Sequence, residues 1–300
     1  MEDVGALLAR VPSLAGEPRV IAELAGGLTN RNYKVTTPDG AFVARIWSDG
    51  GLLAIDRDCE YRNSVIAARA GVGAPVLDYR PEDRVLVLGF LDGVTFGNDD
   101  VRDPGNIPRI AAAVRRLHAA PRFGNDFDMF RIQPRYREVA RSGGMRVPAG
   151  YDDFAPQFAA ARAALAATAE GTVPCNNDLL AANFIDNGDR IALIDYEYSG
   201  NNDPCFELGN IAAECGLDTD ALATLVTAYY GHPRPSRIAR AELFSLVSRY
   251  GWTLWGAIQH ATSPIDFDFW SWTMHRYESA ATAFTTPTFP ALLTAAQQQD

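Results

Sequence analysis

The sequence predicts an α+β protein in two lobes, a small antiparallel-sheet lobe over residues 1–91 and a larger, mainly helical lobe over residues 92–300. Three observations predict it. The first third of the chain is a series of short apolar, β-branched and aromatic runs separated by Gly, Pro and Asp turns, with one helical stretch among them. Beyond residue 107 the apolar spacing is mostly helical. Between these regions Leu91-Asp92-Gly93 interrupts both patterns and is the expected hinge. A cleft between two such lobes is a common home for a ligand.

The elements follow in order. Val20 to Leu24 reads as a strand, Gly26-Gly27-Leu28-Thr29-Asn30-Arg31-Asn32 as a glycine-rich turn, and Tyr33 to Thr37 as a second strand. Pro38-Asp39-Gly40 turns the chain into a third strand, Phe42 to Trp47. A helix is expected from Asp56 to Ala70, stopped by Gly71. Val76 to Tyr79 and Arg84 to Phe90 are two more strands. Helices then read from Pro108 to Ala120, Asp152 to Ala167, Pro204 to Glu214, Thr219 to Tyr230, Arg240 to Ala261 and Asp268 to Phe284. Between them, Asn183-Phe184-Ile185 and Arg190 to Ile194 are short strands joined by Asp186-Asn187-Gly188-Asp189, a hairpin signal.

Composition narrows the classes. Three hundred residues at 47% hydrophobic suffice for a sizeable core. No stretch of about 20 apolar residues is present to span a membrane. The start, Met1-Glu2-Asp3-Val4, is acidic, unlike a signal peptide. Cys59, Cys175, Cys205 and Cys215 are scattered without metal-type pairing, as reduced core residues of a cytoplasmic protein would be. A net charge of −10 argues against a nucleic-acid surface and is compatible with a small cationic substrate.

The chemistry is concentrated in Cys175-Asn176-Asn177-Asp178-Leu179-Leu180-Ala181-Ala182-Asn183 and in Ile194-Asp195-Tyr196-Glu197-Tyr198. An Asp, an Asn a few residues on, and an Asp closing an apolar run match how kinase-type phosphotransferases hold a base and Mg²⁺. In that arrangement Asp178 is the base, and Asn183 and Asp195 are the metal ligands. The hairpin would carry Asn183 and Asp195 to the same end of the structure. Asp and Asn are also ordinary turn residues, and Asp178 alone could cap a helix; the combination and its spacing favour the phosphotransferase. Arg45 in the third strand supplies a cation for nucleotide phosphates, with Glu60 in the next helix as its partner. The turn at Gly27, Leu28, Thr29 and Asn30 can lay backbone N–H groups over phosphates.

These motifs resemble the choline/ethanolamine kinase family, within the protein-kinase-like fold of the aminoglycoside phosphotransferases. The resemblance runs from about Glu23 to about Ala281 and rests on three parts: Gly26-Gly27-Leu28-Thr29-Asn30 with Arg45; Asn177-Asp178…Asn183 with Ile194 to Tyr198, continuing through Asn201-Asn202-Asp203 and Phe206-Glu207-Leu208-Gly209-Asn210; and Trp252-Thr253-Leu254-Trp255, similar to the Trp-x-x-Trp helix of choline kinases. It implies ATP and Mg²⁺, a small alcohol as partner, and a monomer or homodimer. One departure stands out: the family places His before the Asn-Asp pair, and this chain has Asn176, whose amide could brace the loop instead.

Four of the five tryptophans fall between 252 and 272. A quaternary ammonium has no N–H and is held by aromatic faces, at about 0.5–2 kcal/mol per contact. The resemblance assigns such a cage to Tyr198, Trp252, Trp255, Phe267 and Trp272, with Glu197 and Glu214 as acidic neighbours; Phe269 and Trp270 read as core. Aromatic stripes at helical spacing are also ordinary packing. The expected reaction is phosphoryl transfer from ATP to choline or ethanolamine. Another alcohol (an aminoglycoside, a sugar, an amino alcohol) and a non-catalytic binding protein on the same fold are the rival readings.

Overall fold

The computed structural model describes residues 4–17, 19–47 and 51–300; the acidic start at Met1-Glu2-Asp3 lies outside them. A short helix α1 (Val4–Ala9) precedes strands β1 (Val20–Leu24), β2 (Asn30–Thr37) and β3 (Gly40–Trp47), helix α2 (Arg57–Arg69), and strands β4 (Val76–Arg80) and β5 (Val85–Gly89). The five strands form one antiparallel sheet in the order β1-β2-β3-β5-β4. Alternation builds it: Tyr33, Val35 and Thr37 of β2 are buried, and the first two join Phe42, Ala44, Val85 and Val87 over Leu7, Leu8, Val11 and Leu14. The second strand starts at Asn30 rather than Tyr33, so the glycine-rich turn is shorter than expected. Gly27 belongs in it because a β-carbon there would run into the carbonyl oxygen of Asn30. The helix after β3 keeps its expected limits as caps: the Asp56 carboxylate accepts from Cys59 N at 2.9 Å, and Gly71 takes a φ of +71°.

Past Gly93 the chain enters a second, three-stranded sheet. Strand β6 (Val94–Thr95) pairs with the later β8, which pairs with β9. The helical region is α3 (Asn98–Arg102), α4 (Ile107–His118), α5 (Met129–Ser142) and α6 (Ala155–Ala167), then β7 (Val173–Cys175), β8 (Phe184–Asp186), β9 (Ile191–Leu193) and β10 (Gly200–Asn202), then α7 (Pro204–Cys215), α8 (Thr219–Tyr230), α9 (Pro235–Thr262), α10 (Phe269–Thr285) and α11 (Phe289–Ala296). The fold is therefore an antiparallel sheet region followed by a helical region, as the sequence predicted. Three of the four cysteines are buried, and all four are free thiols. Among the described residues no helix is long and apolar enough to cross a membrane.

Three departures have physical causes. Helix α5 escaped the periodicity reading because Pro134 lies inside it and one of its four buried residues, Met129, Gln133, Tyr136 and Ala140, is the polar Gln133. Helix α9 begins five residues before the expected Arg240, with Pro235 at its first position, and runs for 28 residues. Three-quarters of it is buried, between α7 on one side and α10 on another. The Asp152–Ala167 stretch splits, its first residues forming a 3-10 turn (Tyr151–Phe154) before α6.

Candidate active site

Residues 176–179 form a loop after β7 whose four backbone N–H groups are all satisfied by side chains. The buried carboxylate of Glu207 accepts from Asn176 N at 2.8 Å and Asn177 N at 2.7 Å. The Asn176 side-chain oxygen accepts from Asp178 N at 3.1 Å, and that of Asn210 accepts from Leu179 N at 2.9 Å. Glu207 and Asn210 are three apart on α7, hence on one face. Helix α7 also packs closely on α9 because position 209 is glycine: a β-carbon there would strike the Ala241 carbonyl. Loop geometry depends on Asn177, whose φ of +69° is one that Asn tolerates better than most residues.

The hairpin does what its sequence promised. Phe184 pairs with Leu193, and Ile194 N donates to Asn183 O at 3.0 Å, which sets Asn183 beside Asp195. The Asn176 amide nitrogen donates to Ile194 O at 3.1 Å and Asp195 O at 2.8 Å, so Asn176 braces both segments where the family has His. Asn183 Nδ2 donates to Asp178 O at 2.7 Å, tying the third residue to the first. Asp195, like Asn177, sits at positive φ (+65°).

Behind Asp195 lies an ion network. Arg45 Nη1 is 2.6 Å from Asp195 Oδ1 and 2.7 Å from Glu60 Oε1. Burial opposes the Arg45 charge, but Asp195, Glu60 and Glu197 outweigh it and raise its pKa above the ordinary value. Arg57, which the sequence reading did not single out, bridges Glu60 at 2.6 Å and Glu197 at 3.1 Å. Glu197 also accepts from Thr29 Oγ1 at 2.6 Å and Asn30 Nδ2 at 2.8 Å. Burial and then Asp195 push its carboxyl up to about 7, against the pull of Arg57. Gln259 Nε2 donates to Leu28 O at 2.8 Å, so α9 and Glu197 together hold the glycine-rich turn.

A cleft of about 660 Å³ opens at this point. Its lining brings together Gly27, Leu28, Thr29, Asp178, Asn183, Asp195, Glu197, Tyr198, Glu214, Trp252, Trp255 and Trp272. Asn30, Arg45 and Glu60 are buried behind this wall and do not line it. Tyr198 and Trp252 meet edge to face at 4.9 Å, and Trp255 Nε1 donates to Tyr198 Oη at 2.7 Å. Two aromatic expectations change. Phe267 is outside the cleft wall, exposed and packed on Phe269, because Pro264 to Asp268 form a surface loop ahead of α10. The Trp272 ring is already covered by the Arg276 guanidinium at 3.3 Å, and Arg276 pairs with Glu214. Phe269 is core as expected, whereas Trp270 is half-buried, between Arg146 and His260.

Asp178 stands apart from these networks. Among the described residues its carboxylate has no hydrogen-bond or ion-pair partner. Burial first, then Glu214, Asp195 and Glu197, raise its pKa well above the usual carboxylate range, with Arg276 opposing. A carboxylate of raised basicity on a cleft wall is suited to taking a proton. Asn183 Oδ1 and Asp195 Oδ2 likewise accept no hydrogen bond among the described residues, and two such oxygens are a hard donor pair that fits Mg²⁺. Sequence reasoning missed Glu207 and Asn210 as loop supports; the available signal was two polar residues three apart within the apolar run Phe206 to Ala213.

Comparison with known proteins agrees with this geometry. Residues 20–241 match the phosphotransferase enzyme family. Protein LicA of Haemophilus influenzae is 28% identical over 247 residues, covering 78% of this chain and 72% of its own. Ethanolamine kinase 2 of Rattus norvegicus is 27% identical over 263 residues, covering 78% of this chain and 68% of its own. The crystal structure of a choline/ethanolamine kinase family protein from Mesorhizobium loti superimposes with a TM-score of 0.85 at 32% identity, covering 97% of each chain. The chain thus belongs to the phosphotransferase enzyme family and, within it, to the choline/ethanolamine kinases, as a phosphotransferase with an alcohol group as acceptor.

Proposed function

We propose that the protein transfers the γ-phosphoryl group of ATP to the hydroxyl of a small ammonium alcohol of the choline type. The observation that carries this reading is the unpartnered Asp178 carboxylate on the same cleft wall as Trp252, Trp255 and Tyr198. Lobe 1–91 carries the nucleotide phosphates on the Gly27–Thr29 turn, with Arg45 fixing Asp195 from behind the cleft wall, and lobe 92–300 carries the acceptor.

The acceptor hydroxyl gives its proton to Asp178 as its oxygen attacks the γ-phosphorus. The new oxygen–phosphorus bond forms, the bond to the β-phosphate oxygen breaks, and ADP leaves. Asn183 and Asp195 are the residues that would hold Mg²⁺, which supplies charge neutralisation on the phosphates. Arg45, supported by Glu60, adds fixed positive charge next to Asp195. The ammonium group lies against the aromatic faces of Trp252, Trp255 and Tyr198. The work of such a site is positioning and electrostatics. Asp178→Ala and Asp195→Ala should each lower kcat by several orders of magnitude with the fold intact.

The test is an ADP-release screen with Mg²⁺-ATP against choline, ethanolamine, aminoglycosides and small sugars. Trp252→Ala should raise KM for the ammonium alcohol far more than for ATP. Preferential turnover of a sugar or aminoglycoside, or wild-type turnover in Asp178→Ala, would overturn the reading.

A further inference from the structure

We infer that the acceptor carries a carboxylate in addition to its ammonium and hydroxyl groups, and that Arg249 recognises that carboxylate. The inference rests on the ammonium-alcohol reading and narrows it to a zwitterion.

The argument comes from pairing the charges of the cleft. Asp195 is held by Arg45 at 2.6 Å and Glu197 by Arg57 at 3.1 Å. Glu214 is held by Arg276, and Arg102 by Asp99 at 3.0 Å. Two charged groups on the wall are left over, Asp178 and Arg249. Among the described residues no acidic group lies within ion-pair distance of the Arg249 guanidinium, and it donates no hydrogen bond. The charges facing it are Glu214 from α7, Arg276 from α10 and Glu242 from its own helix. Burial lowers its pKa; Glu214 and Glu242 resist, and Arg276 adds to the depression. A half-buried cation that makes no ion pair of its own gains from a ligand that supplies one.

Its position fits a ligand. Arg249, Trp252 and Trp255 follow one another at intervals of three along α9 and all line the cleft. Further along the same helix Gln259 grips the glycine-rich turn, so Arg249 marks the end of the cleft remote from the nucleotide loop. Three residues separate Arg249 from Trp252, about 4.5 Å of rise along the helix. A molecule with its hydroxyl at Asp178 and its ammonium on the Trp252 and Trp255 rings can therefore set a carboxylate one or two carbons away against Arg249. Choline offers Arg249 only a second positive charge. A guanidinium fork, by contrast, is matched to a carboxylate in shape and charge.

The experiment compares acceptors that differ by one carboxylate: choline with carnitine, and ethanolamine with serine. ADP release is measured with Mg²⁺-ATP for the wild type, Arg249→Met and Arg249→Lys, and thermal melting checks that each variant is folded. In at least one pair the wild type should favour the carboxylate-bearing member in kcat/KM by roughly ten- to a hundredfold, the worth of a charge-assisted hydrogen bond. Arg249→Met should bring that ratio to about unity, and Arg249→Lys should retain part of it. Should Arg249→Met fail to fold, the ratio in Arg249→Lys decides. Turnover of choline or ethanolamine with carnitine and serine inert overturns the inference and leaves the ammonium-alcohol reading standing. A ratio unchanged by the substitutions, or an equal fall for all four acceptors, also overturns it. No turnover of any of the four removes the ammonium-alcohol reading, and this inference with it.

Discussion

Replacing Glu207 by Gln keeps the length of the side chain and removes one of its two acceptors. In the native protein both carboxylate oxygens receive backbone N–H groups, from Asn176 at 2.8 Å and Asn177 at 2.7 Å, and the residue is fully buried. A glutamine can turn its carbonyl to one of these donors but must then turn its NH₂ to the other. One charge-assisted bond becomes a neutral one, and the other becomes two donors facing each other without water. Hydrogen bonds to charged groups contribute about 1.5–3 kcal/mol and an unsatisfied buried donor costs about 1–3 kcal/mol, so the loss should total about 2.5–6 kcal/mol. That is a large part of the stability of a typical domain, about 5–15 kcal/mol. The assay is urea unfolding followed by tryptophan fluorescence, with kcat measured on the folded variant. The midpoint should fall with little change in slope. Because Asp178 is the next residue in the loop, kcat should fall at least tenfold, in line with the roughly hundredfold cost of a 1 Å misplacement. An unchanged midpoint together with unchanged kcat would refute the idea that α7 holds the loop through this carboxylate.

Other outcomes follow from the same geometry. Asn176→Ala removes the bonds to Ile194 O and Asp195 O and the acceptor for Asp178 N; kcat should drop roughly ten- to a hundredfold while the fold persists, as steady-state kinetics and melting would show. Glu214→Gln removes the largest charge that raises the Asp178 pKa. The base then ionises more easily, so the acid limb of kcat/KM must move to lower pH; a static or rising limb contradicts the assignment of Asp178 as base. Asp178→Asn should abolish turnover and melt at a higher temperature than wild type above neutral pH. The sign follows from the raised folded pKa: the stability Asp178 contributes is present at low pH and is lost as pH rises through that pKa. The gap in Tm between variant and wild type should therefore widen from pH 5 to pH 8, and a gap that narrows is the contrary result.

Much of the site was legible because its chemistry is local in sequence. The Asp186–Asp189 turn forces Phe184 and Leu193 into register, and Asn183 and Asp195 follow without help from the rest of the fold. Arg45 and Glu60 were legible for a similar reason, as a strand and the next helix of one sheet lobe. What could not be read was set by tertiary approach. Glu207 and Asn210 look like two polar interruptions of an apolar run until α7 is packed under residues 176–179. Arg57 is an unremarked first-turn residue of α2 until Glu197 and the Thr29-Asn30 turn meet it. The aromatic cage was overdrawn because sequence spacing shows which rings share a helix face but not what covers them. Arg276 occupies the face of Trp272, and the loop ahead of α10 carries Phe267 to solvent. In α5 the interior Pro134 and the buried Gln133 broke the periodicity on which a helix reading depends.

The central claim is that Asp178, Asn183 and Asp195 converge on one cation and one terminal phosphate. The most direct measurement is a crystal structure with Mg²⁺, a non-hydrolysable ATP analogue and the acceptor that the ADP-release screen selects. The account predicts Asn183 Oδ1 and Asp195 Oδ2 at about 2.0–2.1 Å from the ion, with the Asp178 carboxylate between the γ-phosphate and the acceptor hydroxyl. An ion and phosphate held by other residues, with Asp178 out of reach of the hydroxyl, would contradict it.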